Sequence, residues 1–143
     1  RVLFRSLGVD VPRLYGATRF LFLQRGDTVG QAVSWAKAEM SGTWHLGFEE
    51  AAVPGVPRYD FARLQALCTR IAEENAAWEA FFARHAITPL RIGYEALSAD
   101  PVGIAEDALR FLGVGTWQPL QAGNRKMADA ESADWAARFR AEC

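Results

Sequence analysis

Apolar residues run unbroken from Phe20 to Leu23, inside residues 18–24 (TRFLFLQ). Both alternating sets of this run are apolar, which predicts a strand buried on both faces, the kind found in parallel sheets. After Arg25-Gly26-Asp27 the period changes. Val29, Ala32, Val33, Ala36 and Met40 recur at spacings of three and four, so a helix follows, with Asp27 as its N-cap and Gly42 at its end. Residues 43–59 carry Pro54, Gly55 and Pro57 and read as a loop or lid. Asp60 then caps a long amphipathic helix bearing Phe61, Leu64, Leu67, Cys68, Ile71, Trp78 and Phe81 or Phe82, which ends near His85. Residues 90–94 (LRIGY) predict a second strand. Asp100-Pro101 starts another helix, with proline at its first position. Its apolar face is Ile104, Ala105, Ala108, Leu109 and Leu112, and Gly113 stands just past its end. A last short helix is expected from about Ser132, with Trp135 and Phe139.

Strand, helix, helix, strand, helix is an α/β order with a central parallel sheet. Two doubly buried strands fall short of the roughly four to six in a typical sheet. Arg1 is not a start methionine, and the first residues show no clean element. The expectation is therefore one domain over residues 1–143, N-terminally incomplete, forming the C-terminal part of a larger α/β domain. The chain's 143 residues, half of them hydrophobic, suffice for one packed core and not for two.

Charge and cysteine use narrow the function. Sixteen Lys+Arg against seventeen Asp+Glu give a net charge of −1, which argues against a broadly basic nucleic-acid binder. Two cysteines, Cys68 and the terminal Cys143, make no disulfide framework and fit a reducing compartment. No apolar run approaches the roughly 20 residues that span a bilayer. The expected location is cytoplasmic. Two histidines about forty residues apart and two distant cysteines match no metal-ligand spacing. Cys68, on the apolar face of the long helix, reads as a small core residue rather than a nucleophile.

Three places carry candidate chemistry. In α/β folds ligands bind beyond the carboxyl ends of the strands, and a helix N-terminus there suits a phosphate. Arg25 stands at that edge with a permanent charge and a planar fork of donors, and Ser34 lies about two turns into the helix. The plainer alternative pairs Arg25 with a surface carboxylate and leaves Ser34 an ordinary helix residue. Tyr94, at the end of the second strand, is placed on the same rim to stack on a flat base, or else is a core tyrosine. Arg125 and Lys126 form a basic pair in a loop with Gly123 and Asn124, the alternative being simple solvation. There is no Walker loop, and Gly26 and Gly30 do not make a dinucleotide fingerprint.

Taken together, several stretches resemble the bacterial sulfotransferases of the Stf family, typified by trehalose 2-sulfotransferase. They are RGDTVGQAVSWAKAEMSGTWH after the first strand, RYDF opening the long helix, TPLRIGYEALSADPVGIAEDALRFLGV, and MADAESADWAARFRAE. The resemblance runs from about Phe20 to Glu142. It implies a P-loop-like sulfotransferase fold whose N-terminal strands and phosphosulfate loop are missing here. It also implies transfer of a sulfuryl group from 3'-phosphoadenylyl sulfate to a hydroxyl of a carbohydrate (trehalose-like) or glycolipid acceptor, without a metal.

By that resemblance Arg25 and Ser34 hold the donor's 3'-phosphate, Tyr94 lies near the adenine, and Arg125 and Lys126 belong to a loop closing over the phosphate. Trp44 and His45 match an element on the acceptor side, where an aromatic face and an imidazole suit a sugar. The family usually places arginine directly before the aspartate, where this chain has Gly26. No Ser/Thr/Gly-rich phosphate loop and no catalytic base is found in residues 1–18, so the base is unassigned. The rival from another class is a non-catalytic or degenerate nucleotide- or sugar-binding module. A P-loop phosphotransferase using ATP ranks behind both. The aromatics of the long helix also offer a surface for a homodimer.

Overall fold

The computed structural model describes residues 18–42, 56–115 and 130–143. Its elements in chain order are β1 (Leu21–Gln24), α1 (Thr28–Ser41), α2 (Phe61–Arg84), β2 (Leu90–Gly93), α3 (Tyr94–Ala99), α4 (Pro101–Leu112) and α5 (Ala130–Glu142). The α/β order holds. The two strands pair in parallel, with Leu21 opposite Leu90 and Gln24 opposite Gly93, and α1 and α2 form the crossover between them. Residues 56–60 have neither helix nor strand, as the loop reading requires.

The caps set the helix boundaries. The carboxylates of Asp27, Asp60 and Asp100 accept from the amides of Gly30, Arg63 and Gly103 at 2.9–3.0 Å, each satisfying a donor the helix leaves free. α1 and α4 end on Gly42 and Gly113 with φ of 70° and 73°. α2 ends in the same manner without glycine. Ala86 takes φ of 51°, and the amide of Ile87 reaches back to the Phe82 carbonyl at 2.9 Å.

The core lies among α1, α2 and α5. Ala32, Val33 and Ala36 of α1 meet Leu64, Leu67 and Ile71 of α2 and Trp135, Ala136 and Phe139 of α5, all of them buried. Small residues on α1 let the bulkier side chains of its neighbours close around it. The RYDF segment fastens the end of the chain to this core. Tyr59 packs edge-on against Trp135 and donates to Glu142 at 2.9 Å, while Phe61 packs against Phe139. Cys68 is half-buried against the same cluster, and burial pushes its thiol above the ordinary value.

One face of the sheet is covered by aromatics. Phe20 and Phe22 pack against Trp78, Phe81 and Phe82 of α2, with ring centroids 5.2–6.5 Å apart. The other face corrects the expectation of double burial: Leu21 and Leu23 are 43% and 52% exposed. The apolar run reports what a strand is able to bury, and here only its even-numbered side chains are covered. The apolar face of α4 is likewise not buried: Ile104, Ala105, Ala108 and Leu109 are half-buried and Leu112 is exposed. α5 begins at Ala130, two residues before the expected start.

Candidate functional site

β2 stops at Gly93, so Tyr94 opens α3 instead of closing the strand. This brings two chain reversals side by side at the carboxyl ends of the paired strands. One runs from Arg25 to Asp27 and the other holds Tyr94 and Glu95.

Arg25 lies at the centre. Its guanidinium sits over the Tyr94 ring, 4.8 Å from the centroid, within the range where the ring quadrupole attracts a cation. Nη1 is 3.5 Å from Ser34 Oγ, and Nη2 is 3.9 Å from a carboxylate oxygen of Asp27. The side chain is 19% exposed, and its Nε is buried without a hydrogen-bond partner. A buried donor left unpaired is unfavourable by about 1–3 kcal/mol, more for a charged group, so this guanidinium has capacity for an acceptor. Gly30 makes room for it. A Cβ at that position would stand 2.7 Å from Arg25 Nη2 and 2.2 Å from an Asp27 oxygen.

Ser34 is exposed and donates its hydroxyl to the Gly30 carbonyl at 2.9 Å. Its single proton is thereby engaged, so its lone pairs face Arg25. Donation to a ligand would require the hydroxyl to turn away from the helix.

At the helix N-terminus several amides are already engaged. The carboxylate of Glu95 accepts from the Gly26 amide at 3.0 and 3.2 Å and from the Asp27 amide at 3.2 Å, while Asp27 caps Gly30. Glu95 is held below the ordinary glutamate value, first by its own backbone amide, then by those of Asp27 and Gly26, and also by the Arg25 charge. α5 reaches the site through Arg140, which donates to Asp27 at 2.8 Å.

The structure thus brings Arg25, Ser34 and Tyr94 together. Trp44, His45, Arg125 and Lys126 lie outside the described residues. Sequence reasoning missed Glu95 and Arg140. Glu95 directly follows the singled-out tyrosine, but its partners are 69 positions away, and no local spacing reports such a contact. Among the described residues no three His, Cys, Asp or Glu side chains are grouped to hold a metal ion. No helix among them is long and apolar enough to cross a membrane.

What this arrangement does chemically is present a fixed cation, stacked on a ring and short of acceptors, at the end of a parallel strand pair. A dianionic oxygen cluster beside a flat ring suits it. Comparison with known proteins gives the family. The family model described as Stf0 sulphotransferase matches residues 5–142. A trehalose 2-sulfotransferase from Mycobacterium tuberculosis (strain ATCC 35801 / TMC 107 / Erdman) is 25% identical over 123 residues, which cover 86% of this chain and 46% of the relative. The chain therefore spans about half the length of the curated relative it matches.

Proposed function

Because the chain belongs to the Stf0 sulphotransferase family, whose members are transferases, we propose that Arg25, Ser34 and Tyr94 bind the adenosine 3'-phosphate end of 3'-phosphoadenylyl sulfate. The protein then moves the sulfuryl group of this donor to a hydroxyl of a carbohydrate, trehalose-like, or of a glycolipid. The observation that supports the reading is the buried, unpartnered Nε of Arg25, in a guanidinium already stacked on Tyr94. Its N–H donors suit a phosphate. The Gly26 and Asp27 amides beside it are engaged by Glu95, which leaves the side chains of Arg25, Ser34 and Tyr94 to meet the ligand there.

The work assigned to this site is binding and orientation. A donor gripped at its 3'-phosphate and adenine has lost most of its rotational freedom before the acceptor arrives, and such positioning lowers a bimolecular barrier substantially. The bound donor supplies the activated sulfuryl group. Trp44 and His45 are proposed to face the acceptor, and Arg125 and Lys126 to close over the 3'-phosphate. No described residue is assigned as the catalytic base. The fold proposed around this site is a P-loop-like sulfotransferase domain. Free Cys68 and Cys143 support a reducing, cytoplasmic setting.

The test is a thermal unfolding scan with adenosine 3',5'-bisphosphate, and with adenosine 5'-monophosphate as control. A ligand at 100 times its Kd stabilises by about 2.7 kcal/mol, so the midpoint rises with bisphosphate concentration and not with monophosphate. Equal response to both ligands, or none to either, contradicts the proposed site. Selective binding without transfer of labelled sulfate to any sugar acceptor favours a non-catalytic nucleotide-binding module.

A further inference from the structure

The last ladder pair of the sheet is Gln24 opposite Gly93. Beyond it the strands are no longer joined by backbone bonds, yet the two reversals that follow remain in contact through the Glu95 carboxylate. One of its oxygens accepts from the amides of both Gly26 and Asp27, at 3.0 and 3.2 Å, and the other lies 3.2 Å from the Gly26 amide. The sequence order makes this contact informative. Gly26 and Asp27 directly follow Arg25, and Glu95 directly follows Tyr94. A carboxylate on one reversal thus holds the amides of the other, and the residues immediately before them are the guanidinium and ring stacked at 4.8 Å.

We infer that Glu95 is the positioning residue of this site: by clamping the Gly26 and Asp27 amides it fixes Arg25 over Tyr94 and so sets the preference for a ligand bearing a 3'-phosphate. The inference deepens the donor-site reading and rests on it. Glu95 touches no reacting atom. Its hydrogen bonds are charge-assisted, roughly twice as strong as neutral ones, and they occupy amides that would otherwise attract an anion to the wrong place.

The experiment compares the full chain with Glu95→Ala and Glu95→Gln. Titration calorimetry gives the affinities for adenosine 3',5'-bisphosphate and adenosine 5'-monophosphate, and ¹H–¹⁵N spectra follow the Gly26 and Asp27 amides and the Arg25 Nε–H. Glu95→Ala is expected to reduce the ratio of the two affinities by about tenfold or more and to shift the Arg25 Nε–H signal. Glu95→Gln, which keeps one acceptor oxygen, recovers part of both. A folded Glu95→Ala protein with an unchanged ratio overturns the inference. Should Glu95→Ala not fold, Glu95→Gln decides, since full retention of the ratio and of the Arg25 signal overturns it equally. If the parent chain shows no preference for the bisphosphate, the donor-site reading falls, and the Arg25 signal alone judges the clamp: moved supports it, unmoved refutes it.

Discussion

Arg25→Ala separates binding from stability. In the structure this side chain contributes little to the fold. Its pairing with Asp27 is long, at 3.9 Å, and that carboxylate is 43% exposed, so the ion pair contributes about 0–1 kcal/mol. Stacking on Tyr94 adds roughly 0.5–1 kcal/mol. Against these stands the buried Nε without a partner, an unfavourable contribution that the substitution removes. The loss of stability should therefore stay near or below about 1 kcal/mol. Toward a 3'-phosphate the balance differs. A charge-assisted hydrogen bond contributes about 1.5–3 kcal/mol, which at 1.4 kcal/mol per decade is roughly a tenfold to hundredfold loss of affinity. Titration calorimetry with adenosine 3',5'-bisphosphate on the parent, Arg25→Ala, Tyr94→Ala and the double variant completes a cycle. Chemical unfolding of the same four proteins, as a stability cycle, should return a coupling of about 0.5–1 kcal/mol for the stacked pair. An affinity within twofold of the parent, or an equal loss toward adenosine 5'-monophosphate, refutes the assignment of Arg25 to the 3'-phosphate.

Three further outcomes follow from the geometry. Gly30→Ala should weaken bisphosphate binding while moving the thermal midpoint little, because the new methyl displaces Arg25 Nη2 and the Asp27 carboxylate while alanine favours the helix by about 1 kcal/mol; calorimetry and a melt check both halves. Glu95 is faced by Arg25 and Asp27 of the β1–α1 junction, and Arg140 of α5 reaches Asp27. Its folded value is lowered, so its contribution is complete above the unfolded glutamate value of about 4.3 and is lost as pH falls below that through the folded value. Melts of Glu95→Gln across acidic pH should show a shallower decline than the parent. Ala86→Gly should stabilise the protein by about 1 kcal/mol, since an L-residue at φ of 51° carries a left-handed penalty that glycine escapes; a lower midpoint would contradict that origin.

The parts of the fold legible in the sequence are those whose cause is local. Asp27, Asp60 and Asp100 were readable as caps because a short acceptor before a periodic run has one use, and all three make the expected bond. The contact of Arg25 with Ser34 is less local, because Arg25 stands before the N-cap of α1 and reaches back along the helix to it. Burial of β1 was not legible. Its alternate residues share one chemistry, and only contact with α2 distinguishes Phe22, which is covered, from Leu21 and Leu23, which are not. The end of β2 was misplaced by one residue because a tyrosine after LRIG continues the apolar pattern equally well as strand or as helix start. Glu95 was hidden for a different reason: its partners are backbone amides, which every residue except proline possesses.

The parallel pairing of β1 and β2 also has a bearing on how the molecule is made. Gly26 and Glu95 are 69 residues apart, and a parallel pair cannot zip up from a tight turn. Closing a loop of that length costs about 4 kcal/mol in chain entropy before any contact compensates. The helices α1 and α2, whose contacts are nearer in sequence, are placed to consolidate first. The junction of the strand ends is then among the last parts of the chain to assemble, during synthesis as well as in refolding. A small anion held there would recognise only the finished molecule, and would act as a chemical chaperone for chains that have nearly arrived.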